Sequence, residues 1–106
     1  MHARVATFEI ADASKLDDEL NEMRRQGEEQ GPPAGIPAKE FLMLVDKPGG
    51  KLIGITLFET EEDLRQGNET LNAMSPGGGA MGRRTSLEIF DVPIHFSAGD
   101  REAMTR

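Results

Sequence analysis

The sequence FLMLVDKPGGKLIGITLF occupies residues 41–58 and contains two apolar runs separated by a short polar segment. The runs over 41–45 and 52–58 are rich in aliphatic, aromatic and β-branched residues, a composition typical of β-strands. Asp46-Lys47-Pro48-Gly49-Gly50 supplies the proline and glycine that end strands and favour turns. The stretch therefore predicts a β-hairpin, with strands over 38–46 and 51–60.

A predicted amphipathic helix precedes the hairpin. Leu16, Leu20 and Met23 recur at helical spacing in a segment otherwise full of charge. Ser14 followed by Asp17 resembles a capping box at its start. We expect this helix to end near the glycines at 27 and 31, because the proline-rich segment that follows cannot continue it.

A second predicted helix follows the hairpin. Thr60-Glu61-Glu62-Asp63 resembles a capping box with acids in the first turn, where the helix dipole favours them. Leu64, Leu71 and Met74 mark its apolar face. We expect the helix to stop at Ser75-Pro76.

Two outer strands complete the domain. Residues 3–10 and 85–94 both combine β-branched and aromatic residues with polar ones, which predicts strands. The order βαββαβ is that of an α+β, ferredoxin-like fold, with a four-stranded antiparallel sheet and both helices on one face. We expect one domain over residues 1–96 and a flexible, polar C-terminal tail over 97–106.

The composition argues against several classes of partner. The chain has 106 residues and a formal net charge of -7, so nucleic acid and anionic membranes would meet net repulsion. It has no cysteine, which removes disulfides and thiolate metal sites. We find no signal peptide and no segment near the ~20 apolar residues that span a bilayer. We therefore expect a cytoplasmic protein with no nucleic-acid or membrane partner, stabilised by oligomerisation.

The predicted strands are apolar on both faces, whereas a sheet with water on one side alternates apolar and polar residues. We expect a second copy of the chain to cover the face that the helices leave free. The aliphatic set of Ile53, Ile55 and Leu57 suits the face under the helices. The mixed set suits a half-polar cavity wall in the dimer. Its pocket-lining candidates are Thr7, Thr56, Phe58, Glu88 and Phe90.

The sequence GITLFETEEDL, residues 54–64, resembles the third strand and helix entry of the dimeric α/β barrel superfamily, which includes antibiotic biosynthesis monooxygenase-like domains. The likeness extends in order and length over residues 3–94. It implies a homodimeric barrel with a pocket between sheet and helices or inside the barrel.

The activities in this superfamily depend on particular residue types. Its cofactor-independent oxygenases usually place Trp, Asn or Tyr near the substrate, and its haem-binding relatives use a His as iron ligand. This chain has no Trp and no Tyr, and its two histidines, His2 and His95, lie at the N-terminus and after the last predicted strand. We therefore expect no cofactor.

Three strand carboxylates are candidate general bases. Glu9, Glu40 and Glu88 could act in this way if they pointed into a barrel, where burial would raise their pKa. Solvated surface charge is the preferred interpretation. Glu88 is the best of the three, because it shares its predicted face with Thr56 and Phe90.

Other polar groups have weaker functional interpretations. Asn68 and Asn72 lie one turn apart and could hold a substrate carbonyl or an oxyanion, although surface asparagine is preferred. His95 could be a base or a ligand, but one histidine with no cysteine and no second histidine nearby makes a poor metal site, so we expect no metal. The glycine-rich residues 77–82 with Arg83 and Arg84 could bind an anion, although they match no phosphate-loop pattern.

The functional hypothesis is a homodimeric domain that binds a small apolar molecule. The alternative is a cofactor-independent monooxygenase of the antibiotic biosynthesis monooxygenase type. A third possibility is an interaction protein whose cavity is filled by side chains. The sequence does not decide whether the chain is an enzyme.

Overall fold

The computed structural model describes residues 1–31, 36–73 and 82–96. Its elements are β1 (His2–Glu9), α1 (Ala13–Gln30), β2 (Glu40–Asp46), β3 (Lys51–Phe58), α2 (Glu61–Ala73) and β4 (Arg83–Asp91). The strands form one antiparallel sheet in the order β2-β3-β1-β4. The predicted α+β, ferredoxin-like fold is therefore confirmed. The predicted tail, residues 97–106, lies outside the described residues.

The strand register defines two faces of the sheet. β1 is central, and Arg4 is paired with Thr56 of β3 on one side and with Ile89 of β4 on the other. Because side chains alternate along a strand, residues paired in this way share a face. The helix-covered face carries Arg4, Ala6, Phe8, Phe41, Met43, Val45, Leu52, Gly54, Thr56, Phe58, Arg84, Leu87 and Ile89. The open face carries Val5, Thr7, Leu42, Leu44, Ile53, Ile55, Leu57, Glu88 and Phe90.

The expectation that the five pocket-lining candidates share one face is wrong. Thr7, Glu88 and Phe90 lie on the open face, whereas Thr56 and Phe58 lie under the helices and are buried. The aliphatic set of Ile53, Ile55 and Leu57 is correspondingly on the open face and not beneath the helices. β3 is apolar in both alternating sets, so alternation along this strand alone does not identify the face that the helices cover.

The core under the helices has two clusters. Leu16 of α1 packs with Ala6, Phe8 and Leu52 in the first cluster. Leu64 of α2 packs with Phe58 and Ile36 in the second. Phe58, Leu16 and Leu52 are the largest side chains that are fully buried. Each helix is thus fixed to the sheet by one leucine near its start.

A close approach between α2 and β3 occurs at Gly67. This glycine is buried in the helix, and a Cβ atom placed on it would overlap the ring of Phe58. The absence of a side chain at position 67 therefore allows α2 to lie directly on the Phe58 ring.

The helix starts are capped in two ways. Thr60 accepts a hydrogen bond from the backbone N–H of Asp63 at 3.0 Å, which confirms the predicted cap of α2. At α1 the cap is Asp12 and not Ser14, since the Asp12 carboxylate accepts from the backbone N–H of Ser14 at 3.0 Å. The hydroxyl of Ser14 donates to the same carboxylate at 2.6 Å, and the bonds to Ser14 lower the pKa of Asp12.

The second half of α1 projects away from the core. Residues 24–30, RRQGEEQ, contain no apolar side chain, and every residue from 21 to 30 is exposed. This half is supported within the helix by Arg25, which forms ion pairs with Glu22 and with Glu29. Neither described helix is long and apolar enough to cross a lipid bilayer.

The segment after β4 crosses one end of the open face. The backbone N–H of Val92 donates to the carbonyl of Met1 at 3.0 Å, and His95 Nε2 lies 3.2 Å from a Glu40 carboxylate oxygen on the far edge strand. Between these anchors lie Ala3 and Leu57, which are buried although they belong to the open face. No other described residue crosses the open face.

The Phe58–Gly67 contact predicts opposite effects for two glycine-to-alanine substitutions. Gly67→Ala should lower the free energy of unfolding by about 1–2 kcal/mol, because overpacking against Phe58 outweighs the gain in helix propensity. Gly27→Ala is the control, because no atom lies within 4 Å of its Cβ position. It should raise stability by roughly 0.5–1 kcal/mol. Urea denaturation measures both, and a stabilised Gly67→Ala would contradict the packing.

Candidate functional site

A groove of about 760 Å³ opens on the helix-covered side of the sheet. It lies between the second half of α1, the edge strand β2 and the last turn of α2. Its apolar lining residues are Leu20, Met23, Ile36, Ala38, Phe41, Met43, Val45 and Leu71. Charged lining residues include Arg24, Glu28 and Lys39, all of them exposed. The groove is therefore mainly apolar, with charge at its margin.

The groove exists because β2 presents apolar side chains that the facing half of α1 does not cover with apolar side chains of its own. β2 directs Phe41, Met43 and Val45 toward the helix layer. The part of α1 beyond Met23 has no apolar side chain to set against them. Their surface consequently stays accessible, and Phe41 keeps 51% of its surface exposed.

Two residues of β3 lie at the base of the groove: Thr56 lines it, and Gly54 lies beneath two of its wall residues. The Cβ position of Gly54 lies 3.8 Å from the Phe41 ring and 3.9 Å from the sulfur of Met43, so the glycine leaves space beneath both side chains. Thr56 is buried and lines the groove. Of the five pocket-lining candidates, Thr56 is the one that the structure places at this groove.

Beside Thr56, on β1, lies a buried arginine. Arg4 is only 5% exposed. Its Nε donates to Asn68 Oδ1 at 2.8 Å, and its Nη2 donates to Asn72 Oδ1 at 3.0 Å. Arg84 of β4 reaches the same atom of Asn72, with Nη1 at 2.8 Å. We call these four residues the arginine–asparagine cluster.

The electrostatics of this cluster are unusual. Burial lowers the pKa of Arg4, and the positive charge of Arg84 lowers it further. Within residues 1–31, 36–73 and 82–96, no carboxylate forms an ion pair with either guanidinium. Buried charges in proteins are usually paired, so the cluster contains positive charge that the described chain does not neutralise.

Asn72 is exposed, as the preferred interpretation of a surface asparagine expects, whereas Asn68 is half-buried, and the amide oxygens of both accept from Arg4. Arg4 itself is missed by the sequence reasoning. The available signal was its spacing, because Arg4 alternates with Ala6 and Phe8, which the sequence does place on one face.

One candidate base, Glu40, is among the lining residues of the groove. The remaining candidates lie elsewhere. Thr7, Glu88 and Phe90 are on the opposite face of the sheet from the groove, and Phe58 is enclosed beneath α2. The Glu9 carboxylate lies 3.3 Å from Nη2 of Arg83, while Glu40 contacts His95. Whether these residues bind a ligand stays a prediction.

The glycine-rich candidate is only partly described. Residues 77–81 lie outside the described residues, and Gly82 has a φ of 74°, the left-handed conformation that glycine favours. A Cβ at Gly82 would overlap the carbonyl oxygen of Glu9. Among the residues that are described, no group of three or more His, Cys, Asp or Glu side chains could hold a metal ion.

No protein-family model matches the sequence, and no curated protein matches it. The resemblance of residues 54–64 to the dimeric α/β barrel superfamily therefore stays a prediction. Function has to be argued from the groove, the open face and the arginine–asparagine cluster.

The cluster predicts that Asn68 contributes more to the free energy of unfolding than an asparagine on the exposed surface does. Asn68→Ala should lower the free energy of unfolding by about 1–3 kcal/mol, because it removes an acceptor from a buried guanidinium. Asn21→Ala is the control, since Asn21 accepts from the exposed side chain of Arg24. It should change stability by less than about 0.5 kcal/mol. Equal effects in thermal or urea unfolding would contradict a structural role for Asn68.

Proposed function

We propose that this protein binds a small, mainly apolar molecule in the groove of each chain, and that two chains associate as a homodimer through the open face of the sheet. The observation that carries the binding proposal is the apolar wall of Phe41, Met43 and Val45, which α1 leaves uncovered. A volume of about 760 Å³ lies within the range of small-molecule sites, roughly 300–1,000 Å³.

The lining of the groove suits an apolar ligand with one polar end. Met23 and Met43 face each other across it from α1 and β2, and methionine side chains adapt to irregular apolar shapes. The hydroxyl of Thr56 provides a polar group at the floor. Arg24 and Lys39 provide positive charge among the lining residues, which also include Glu28 and Glu40. A fatty acid of medium length has this distribution of apolar and charged groups.

The proposal is confined to binding. Glu88, the strongest of the three candidate bases, lies on the opposite face of the sheet from the groove. The candidate base Glu40 lines the groove, but it is exposed and its carboxylate contacts His95. No specific observation favours the monooxygenase alternative over simple binding.

The dimer proposal is supported by the open face. Leu42, Leu44 and Phe90 are each exposed, and together with Val5, Ile53 and Ile55 they form an apolar sheet surface. Four strands of this length span roughly 20 by 25 Å, which suits an interface of standard size, about 800 Å² per partner. A sheet face of this kind can pack on its own copy about a two-fold axis.

The segment after β4 extends this surface. Ile94 and Phe96 are 72% and 83% exposed, the highest values among the large apolar side chains described. Ile94 lies within the crossing of the open face that Val92 begins and His95 anchors, and Phe96 follows it directly. Two exposed apolar side chains beside an apolar sheet face would be buried by the same partner.

The groove proposal predicts ligand-dependent quenching of an introduced tryptophan. The chain has no Trp, so the tryptophan of Met23→Trp would be the only one. A bromine-labelled dodecanoate, which quenches tryptophan at close range, should quench it saturably. Adding Phe41→Glu should weaken this binding tenfold or more, because a charge replaces an apolar wall worth about 1.5–3 kcal/mol.

Two controls make the quenching specific. Asp18→Trp places the fluorophore on α1 outside the groove lining, and it should not be quenched. Leu42→Glu, combined with Met23→Trp, introduces the same charge one residue along β2 on the other face, and binding should persist. Quenching that Phe41→Glu leaves unchanged would refute the groove.

The dimer proposal uses the same pair of substitutions with the opposite expectation. In sedimentation velocity the unmodified chain should have the mass of a dimer, and Leu42→Glu should shift it toward monomer because it places two buried charges in the interface. Phe41→Glu should leave the dimer intact. Phe41 and Leu42 are similarly exposed, 51% and 44%, so burial alone cannot separate them. A monomeric parent protein would refute the dimer.

A further inference from the structure

We propose that Arg4 and Arg84 form a binding site for an oxyanion, either the carboxylate or the phosphate group of a small molecule. The site would use the arginine–asparagine cluster at the end of α2. This site does not depend on occupancy of the apolar groove.

The two guanidinium groups have more N–H donors than the described chain uses. A guanidinium carries five N–H groups. Arg4 uses Nε and Nη2 in hydrogen bonds, and Arg84 uses Nη1. The remaining N–H groups of both side chains have no acceptor within the described part of the chain. No described buried side-chain nitrogen lacks a partner, so the unpaired Nη1 of Arg4 is in contact with solvent. Arg4 as a whole is only 5% exposed, so an anion would meet this edge of its guanidinium together with the more open side chain of Arg84.

The arginine–asparagine cluster carries net positive charge. Both guanidiniums converge on Asn72 Oδ1, which is a neutral acceptor. The end of α2 contributes the partial negative charge of a helix C-terminus, about half an elementary charge. Two full positive charges against half a negative one leave the cluster cationic. An oxyanion would supply the missing charge and would accept from both side chains.

The acidic side chains near the cluster have other partners. Asp91 shares the helix-covered face with Arg4, but it lies 3.1 Å from His2. On α2, Glu62 and Glu69 both pair with Arg65. The local carboxylates are thus already engaged, and none of them forms an ion pair with Arg4 or Arg84 in the described structure.

The cluster is also preorganised and accessible. Asn68 and Asn72 hold the buried Arg4 in one orientation, so little side-chain entropy remains to be lost on binding. Asn72 is exposed and Arg84 is half-buried, which leaves one side of the cluster open. A shallow depression of about 390 Å³ adjoins it. Its lining residues are Leu64, Asn68 and Ile89 together with Arg65, Glu61 and Glu62, and both glutamates are exposed. This depression offers room for the rest of a ligand.

A matched pair of arginine substitutions tests the site. Inorganic phosphate and acetate are titrated by calorimetry into the full chain, at constant ionic strength set with sodium chloride. The parent should bind at least one of the two saturably, and Arg84→Gln should weaken that binding tenfold or more. Arg83→Gln is the control. It removes the same charge from the adjacent residue, which pairs with Glu9 on the other side of the strand.

The tighter of the two anions identifies the oxyanion class. Binding that is equal in the parent and Arg84→Gln, or equal losses in both arginine variants, would overturn the site. So would the absence of any saturable binding beyond chloride.

A second measurement does not depend on any variant folding. In spectra of the ¹⁵N-labelled parent, phosphate or acetate should shift the Nε–H signals of Arg4 and Arg84 and leave that of Arg83 in place. A structural tether of α2 without anion binding would show no such shift, and that result would also overturn the proposal.

Discussion

The contact between the Phe58 ring and Gly67 sets the position of α2, and much of the functional surface depends on that position. Because Gly67 has no side chain, the helix lies directly on the sheet at β3. Asn68, the next residue, and Asn72, one turn beyond it, then lie over Arg4, while Leu71 lies at the edge of the groove. A larger residue at position 67 would move all three together.

The two helices cover the sheet to different extents, because the apolar stripe runs along most of α2 but only along the first half of α1. α2 keeps Leu64 and Leu71 against the sheet along most of its length. α1 has Leu16 and Leu20 near its start and only charged, polar or glycine residues after Met23. The second half of α1 is therefore a helix stabilised by its own ion pairs. The groove is the space between this half and an apolar strand.

The sequence is enough to predict the order of elements, the hairpin and the cap of α2, since each depends on local chemistry such as Pro48-Gly49 and Thr60. It is not enough to predict which face of β3 the helices cover, because residues 52–58 are apolar on both sides. That choice is made by the pairing of β3 with β1, where Gly54 and Thr56 oppose Ala6 and Arg4. The cluster was missed for a related reason: an arginine is normally assumed to be solvated, and its asparagine partners are more than sixty residues away.

The edge strand β2 exposes an apolar segment that can pair with other chains. Its FLMLV segment is apolar in five consecutive positions, and one side of its backbone has no neighbouring strand among the residues that the structure describes. Such a strand is a template for intermolecular β-pairing and aggregation. The charged residues Lys39, Glu40, Asp46 and Lys47 flank it, as gatekeeper residues do in aggregation-prone segments. The charged residues at the ends of β2 therefore limit β-pairing along this edge. The apolar residues between them contribute to the groove on one face of the sheet and to the open face on the other.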